Sequence, residues 1–324
     1  MHVLVTGGAG FIGSNYVRRL LNGRSDVNAD KVTVLDKLTY AGNTANLDPV
    51  LGHPALRFVQ GDIGDPDLVP ELLTGVDAVV NFAAETHVDR SIQNSAEFVT
   101  TNVLGTQNLL QAALHTGVGR FLHVSTDEVY GSIESGSWTE EWPLTPNSPY
   151  AAAKAGADLL VRSYARTHGL NVGITRCSNN YGPYQYPEKL VPHFVTTLAR
   201  GGTVPLYGDG LNVRDWLHVD DHCRGIDLVL TEGAPGEVYN IGGGTELTNH
   251  QLTGLILEAC GADWSSVRRV PDRKGHDRRY SLDDSKLRAL GYRPQVEFAR
   301  GLAATIAWYR ENPAWWEPLT TTAA

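Results

Sequence analysis

A tyrosine and a lysine stand four positions apart at Tyr150 and Lys154, so on a helix their side chains share one face. A phenol, with an ordinary pKa of about 10, serves as a base at neutral pH only if its anion is favoured by about 4 kcal/mol. The Lys154 ammonium and a positively charged nicotinamide would favour phenolate in that way. Upstream, Ser125-Thr126-Asp127-Glu128 delivers a hydroxyl and two adjacent carboxyls. Simple hydride transfer needs the hydroxyl and the tyrosine but not the acids. An acid beside a base points instead to elimination of water, with surroundings that push the two pKa values apart. The alternative is that Asp127 and Glu128 are helix-cap or solvated-loop acids.

These groups need a scaffold. His2–Thr6 runs into Gly7-Gly8-Ala9-Gly10-Phe11-Ile12-Gly13, a GxxGxxG spacing that opens the amphipathic stretch Ser14–Leu21. Glycines let backbone approach a diphosphate, and the helix N-terminus offers free N–H groups and a positive dipole. A glycine-rich turn can also merely pack helix on strand; its place at the first strand–helix junction favours a dinucleotide. Asp36 ends the second β-branched run, where a carboxylate accepts from ribose hydroxyls and repels a 2′-phosphate, which favours NAD over NADP. Lys37 complicates that choice unless it is solvated. Asp62-Ile63 and Phe82-Ala83-Ala84-Glu85-Thr86 follow the next runs, at the strand ends where the crevice of such a sheet forms.

Short apolar runs at His2–Thr6, Lys31–Leu35, Arg57–Gln60, Asp77–Ala83, Arg120–Ser125 and Asn171–Arg176 alternate with helical patterns. This predicts an α/β fold with a Rossmann-like, doubly wound parallel sheet, both faces covered. Beyond Tyr181 the rhythm changes, which predicts a smaller, discontinuous substrate-binding domain. The expected division is 1–181 and 220–247 for NAD binding, 182–219 and 248–316 for the second domain, and 317–324 as a frayed tail. Ala96–Leu114 and Tyr150–Tyr164 are apolar around most of the helix circumference. They predict either a subunit interface or burial beneath the second domain.

With 27 Lys and Arg against 36 Asp and Glu, the net charge of −9 argues against general nucleic-acid affinity or attraction to anionic membranes. No apolar run approaches the length of a membrane span, and the start Met-His-Val-Leu-Val lacks a basic signal-peptide region, so a cytoplasmic protein is expected. Cys177, Cys223 and Cys260 are odd in number and far apart, which suggests neither a disulfide framework nor a metal site. The expected partner is a small molecule.

The chain resembles the extended short-chain dehydrogenase/reductase family, and within it the dTDP-glucose 4,6-dehydratases, from Met1 to about Trp316. Besides the glycine turn and Tyr150/Lys154, the resemblance rests on DKLTYAGN (Asp36–Asn43), AAETHVDRS (Ala83–Ser91), STDEVYGS (Ser125–Ser132), SNNYGPYQYPEKL (Ser178–Leu190) and DRKGHDRRY (Asp272–Tyr280). Thr86 stands where the family often has Ser. The resemblance implies NAD contacts at Gly7, Gly10, Phe11, Ile12, Gly13, Asp36, Lys37, Leu38, Thr39, Asp62, Ile63, Phe82, Ala83, Ala84, Thr86, Thr101, Tyr150, Lys154 and Asn180. It implies that Tyr150, helped by Thr126, takes the sugar 4-hydroxyl proton as hydride leaves C4. Glu128 then removes the C5 proton, Asp127 protonates the departing C6 hydroxyl, and hydride returns to C6 and a proton to C5.

For the nucleotide sugar, the resemblance implies contacts at Thr86, Thr126, Asn179, Lys189, Leu190, Val191, Pro192, Phe194, Pro205, Tyr207, Arg214, Asn249, Arg273, His276 and Tyr280, some through backbone. Arg268, Arg269, Arg273, Lys274, Arg278 and Arg279 form a local basic cluster suited to a diphosphate, or a solvated loop neutralised by Asp272 and Asp277. Arg214 can alternatively pair with its neighbour Asp215. The expected protein is a homodimer that converts dTDP-glucose. Its rivals are a UDP-sugar 4-epimerase, which would not need the acid pair, and a noncatalytic sensor, which would not need Tyr150 and Lys154.

Overall fold

The computed structural model describes residues 1–321. Strands β1 (His2–Thr6), β2 (Lys31–Asp36), β3 (Leu56–Gln60), β4 (Ala78–Asn81), β5 (Arg120–Thr126) and β6 (Val172–Cys177) match the predicted runs within two residues at each end. With β10 (Val238–Ile241) they form one parallel sheet, order β10-β6-β5-β4-β1-β2-β3. The order reverses between β1 and β4. At such a switch point the connections leave in opposite directions and open a crevice beyond the carboxyl ends.

Both faces of the sheet are buried, as unalternating strands require. From β1, Val3 and Val5 pack toward the helices Phe11–Leu21 and Val219–Glu232, with Tyr16, Ile226 and Val229. Leu4 packs on the opposite side with Leu109, Leu110 and Val161, from the helices Thr106–Thr116 and Pro149–His168. Consecutive residues therefore serve different cores.

A second lobe carries β7 (Asn179–Tyr181), β9 (Val213–His218) and β11 (Glu246–Thr248) in one small sheet, and β8 (Val204–Tyr207) paired with β12 (Val267–Val270) in another. Its core gathers Phe194, Trp216, Leu252, Ile306 and Tyr309 from β9 and three helices. The lobes interweave more than the expected boundaries allow. Strand β7 belongs to the small sheet, while Leu287 and Tyr292 pack into the first core.

Two local expectations are corrected. Ala96–Leu114 is not one continuous α-helix: Ser95–Phe98 and Thr106–Thr116 flank a wider π winding over Val99–Gly105. Such insertions mark functional sites more often than plain helix does. The chain also stays helical through Pro313–Thr321, so residues 317–321 are not frayed. Trp316 anchors this helix, 4% exposed and donating Nε1–H to Tyr309 O at 2.7 Å. Residues 322–324 of the expected tail lie outside the described residues.

Beneath the crevice lies a buried ion pair. Arg176 on β6 donates Nε–H to Asp158 at 2.8 Å, and Nη1 to the Tyr130 hydroxyl at 2.8 Å. Both charges are fully buried. Removing one partner strands the other, so Arg176→Met is expected to destabilise the fold by about 3–5 kcal/mol, measured as a shift in urea unfolding against the parent chain.

Candidate active site

The crevice begins where β1 turns into its helix. Gly7 has φ +66°, and a Cβ there would lie 2.7 Å from Ala83 N. A Cβ on Gly13 would lie 2.3 Å from Gly7 O. Any other residue would force backbone apart. The helix Phe11–Leu21 starts from Gly10 with no side-chain cap, which leaves its first N–H groups free for an anion.

Gly7, Gly10, Phe11, Ile12, Gly13, Asp36, Lys37, Thr39, Asp62, Ile63, Phe82, Ala83, Ala84, Thr86, Thr101, Tyr150, Lys154 and Asn180 all line one cleft. Leu38 does not, although it was expected there; it has φ +57°, and its N–H donates to Asp36 Oδ1 at 2.8 Å. Asp36 Oδ2 accepts from Ala9 N at 2.9 Å. Both oxygens of this buried carboxylate thus brace the loop, and each keeps one further lone pair for a ligand. Burial pushes its pKa up while the two backbone bonds hold it down. Lys37 is paired rather than simply solvated, its Nζ 2.7 Å from Asp62 on the rim. The wall carrying Ala84 and Thr86 is clamped by Asn102, which accepts from Glu85 N at 2.8 Å and donates to Glu85 O at 3.0 Å.

Thr126, Asp127, Glu128, Tyr150 and Lys154 gather at one end of the same cleft. Strand β5 ends at Thr126, whose Oγ1 donates to Asp127 Oδ1 at 3.2 Å. Burial first, then the Glu128 and Asp215 charges, raise the Asp127 pKa well above its ordinary value, against Arg214 and the Thr126 hydrogen bond. Burial raises that of Glu128 too, but Arg273, Arg214 and Lys189 oppose it. The environments therefore favour a protonated Asp127 and an ionisable Glu128.

Tyr150 departs from expectation. Burial and the Glu128 charge push its phenol well above the ordinary value, opposed by a hydrogen bond with Thr126. Lys154 is not what lowers it. Its Nζ donates to Val124 O at 2.7 Å and lies 3.4 Å from His123 Nε2. Burial brings the Lys154 pKa down to about 8, with Asp158 acting in the opposite direction.

On the substrate side, Thr86, Thr126, Asn179 and Lys189 line the cleft. Lys189 Nζ donates to Thr86 O at 3.2 Å. The side chains of Val191 and Phe194 are committed to the second-lobe core, with Leu190 packed against it, and Pro192 is also buried. Contacts from Val191 and Phe194 to a ligand would therefore be backbone ones. Arg214 does not pair with Asp215: it donates to Asp277 O at 2.9 Å and lies 4.0 Å over the Tyr280 ring. Asp215 instead accepts from Gly243 N and Thr245 N. Pro205 lies on β8 beside Tyr207, whose ring meets His276 edge-on. Asn249 starts the helix Asn249–Cys260 with a buried, unpartnered Oδ1.

The basic cluster does not converge. Arg278 pairs with Asp209 and Arg279 with Glu246, while Arg273, 3.9 Å from Asp89, is the member whose charge acts on Glu128. Sequence reasoning missed Gly42, Gly61, Cys177, Ser178, Gln185, Tyr186 and Glu188, which also line the cleft. The position of Pro183–Glu188 between Asn180 and Lys189, both assigned to the site, was the available signal.

The cleft fits a dinucleotide on its own terms, with a glycine cradle, an uncapped helix start and a buried carboxylate at the end of β2. Asp127 Oδ2, Asn179 Oδ1 and Ser125 Oγ are buried along it without protein partners, and native structures rarely leave such groups unpaired. Among the described residues, no three His, Cys, Asp or Glu side chains gather as a metal site.

Comparison with known proteins agrees with this geometry. The family whose model matches residues 4–305 is described as GDP-mannose 4,6-dehydratase. A curated dTDP-glucose 4,6-dehydratase of Streptomyces antibioticus is 66% identical over 98% of this chain and 95% of its own length. The crystal structure of DesIV, a dTDP-glucose 4,6-dehydratase from Streptomyces venezuelae solved with NAD bound, is 68% identical, covers 98% of this chain and 100% of that chain, and superposes with TM-score 0.98. A UDP-glucose 4-epimerase from Thermotoga maritima shares the fold more distantly, at TM-score 0.88 and 34% identity over 97% of this chain and 100% of that one. The chain belongs to the GDP-mannose 4,6-dehydratase family of extended short-chain dehydrogenases/reductases.

Proposed function

We propose that this chain is an NAD-dependent hydro-lyase that converts dTDP-glucose to its 4-keto-6-deoxy product. The carrying observation is the adjacent Asp127–Glu128 pair, the first buried and the second half-buried among different sets of charges, at the Tyr150 end of a dinucleotide cleft. A 4-epimerase has no use for such a pair. When bound, NAD supplies the acceptor and later the donor of the C4-to-C6 hydride, so no net reduced cofactor is formed. Tyr150, hydrogen-bonded with Thr126, takes the 4-hydroxyl proton; its raised phenol pKa means the cationic charge favouring phenolate must come from what the cleft binds. Glu128 takes the C5 proton, made acidic by the new C4 ketone. Asp127, kept protonated by burial and two neighbouring carboxylates, gives its proton to the departing C6 hydroxyl, and a proton returned to C5 as hydride reaches C6 completes the product.

The substrate reading extends the cleft from Asn179 and Lys189 toward Arg214, Asn249, Arg273, His276 and Tyr280, with Pro205 and Tyr207 at the nucleotide end. On this reading residues 1–181 and 220–247 hold the cofactor, 182–219 and 248–316 supply the sugar nucleotide site, and the exchanges of β7 and of Leu287 and Tyr292 tie the two together. A homodimer and a cytoplasmic location belong to the same proposal. Among the described residues, no helix is long and apolar enough to cross a membrane. The dimer reading rests on Val99, Leu104 and Leu159, exposed at 48%, 57% and 56% on neighbouring segments of the π winding and the helix Pro149–His168.

Incubation with dTDP-glucose is expected to give a product lighter by one water, by mass spectrometry, without free NADH; stoichiometric NADH would defeat the proposal. Tyr150→Phe should slow oxidation and dehydration by roughly 10²-fold or more. Asp127→Asn combined with Glu128→Gln should permit the first oxidation and build up enzyme-bound NADH, whereas an unchanged rate would make the carboxyls structural.

The pH profile supplies a separate check. Arg273 holds the Glu128 pKa down, so Arg273→Ala lets it rise. The acid limb of kcat is therefore expected to move to higher pH, and an unmoved limb would remove Glu128 as the base. For the assembly, Leu104→Glu is expected to convert a dimer to monomers in analytical ultracentrifugation; a parent chain already monomeric would refute the interface.

A further inference from the structure

The C-terminal helix reaches back to the turn that faces the dinucleotide. Trp315 donates its indole N–H to Asn46 Oδ1 at 2.9 Å. Asn46, 2% exposed, donates Nδ2–H to Ala9 O at 2.8 Å, and Ala9 sits between Gly8 and Gly10 of the turn. The Asn46 carbonyl accepts from Arg18, on the helix that the turn begins. Both ends of the Asn46 carboxamide are thus engaged, the Nδ2 end with the cofactor turn and the Oδ1 end with a residue 269 positions away, while the Arg18 bond falls on its backbone carbonyl.

A second set of contacts runs alongside. The Arg18 guanidinium lies 4.2 Å over the Tyr184 ring. That ring packs against Trp308 and Trp315, with centroids 4.4 and 5.6 Å away. Tyr184 has φ +68°, a left-handed backbone that a bulky residue adopts only where its surroundings hold it. Next to it, Gln185 and Tyr186 line the cleft. Gln185 donates to Asn180 O at 2.9 Å, and its own carbonyl accepts from the Tyr309 hydroxyl. Tyr186 meets Tyr40 edge-on, centroids 5.7 Å apart, and Tyr40 lies between cleft-lining Thr39 and Ala41. Loops on both sides of the cofactor cleft are therefore fastened to the same C-terminal aromatic group.

Packing alone would be served by any large apolar side chain at 315. An indole N–H delivered to a buried asparagine that in turn holds Ala9 does more, since a buried amide is fixed in orientation by its partners. We propose that Trp315 is a positioning residue for the dinucleotide. Through Asn46 it fixes the Ala9 carbonyl, and with it the backbone N–H groups of the glycine turn, so that the second lobe and the cofactor loop move together and NAD leaves slowly. This inference rests on the reading of the cleft as an NAD site.

The test measures cofactor retention rather than turnover. NAD content of the purified chain is followed through prolonged dialysis, and the dissociation rate of added NAD is taken by rapid dilution. Trp315→Phe keeps an aromatic ring and loses the hydrogen bond; its NAD dissociation is expected to be about tenfold faster, the equivalent of one buried hydrogen bond. Trp308→Phe perturbs the same aromatic group without touching Asn46 and is expected to hold NAD as the parent does. Equal acceleration in both variants would reduce the effect to packing and overturn the proposal. A parent and Trp315→Phe that retain NAD equally would overturn this inference alone, whereas a parent that binds no NAD would overturn it together with the cofactor reading.

Discussion

No side-chain carbon fits at Gly7 or Gly13, where β1 turns into the first helix, and much of the site follows from that exclusion. With Gly13 in place of a larger residue, the helix folds back onto Gly7 O, and with Gly7 the turn lies against Ala83 at the end of β4. This closeness sets the uncapped helix start over the crevice between β1 and β4 instead of beside it. Asp36 then braces the turn from β2, spending one lone pair on each oxygen to hold Ala9 and Leu38. The backbone, rather than any charged side chain, provides the anion site, consistent with a cleft whose lysine on that side is occupied by Asp62.

At the other end of the cleft, neighbouring charges are what distinguish one acid from the other. Asp127 is buried and the adjacent Glu128 half-buried, and loss of solvent is the leading influence on each. What differs is the surrounding charge. Arg214 acts on both; Glu128 and Asp215 act on Asp127 to keep its proton, while Arg273 and Lys189 act on Glu128 alone to release one. Tyr150 shows the same logic with the opposite outcome. Its phenol shares the Glu128 charge, and Lys154, committed to Val124 O and His123, does not compensate for it. The tyrosine is positioned before it is activated.

The β-runs, the glycine turn, Asp36 and the acid pair were legible because each carries a local signature: unalternating apolar strands, a spacing only glycine satisfies, a polar residue at a strand end. The π winding was not, because an extra residue shifts the apolar phase by one position, and a segment apolar around most of its circumference hides that shift. It matters to the site, since it carries Thr101 to the cleft and Asn102 to the loop at Glu85. Nor could the basic cluster be resolved from sequence. Six cations within a dozen positions look convergent, yet Arg278 and Arg279 are drawn off by Asp209 and Glu246, carboxylates far away along the chain. Pairing between distant segments decides which charge reaches the cleft, and sequence proximity does not record it.

That long-range pairing also explains why the second lobe cannot be a passive cover. In the proposed mechanism the sheet lobe supplies the groups that lose or gain protons, Asp127, Glu128 and Tyr150, with Thr126 beside them. By itself it would bury two carboxyls and a phenol with no cation near enough to separate their behaviour, since Lys154 faces inward to β5 and its low pKa of about 8 reflects that burial. The cations that act on Glu128 come from β9, from the residue preceding the helix Leu190–Ala199, and from the loop after β12. The cations that set Glu128 apart from Asp127 reach it only when the two lobes are in register. The C-terminal helix, fastened to Asn46 on the sheet lobe while its Trp316 sits in the second-lobe core, is placed to hold that register.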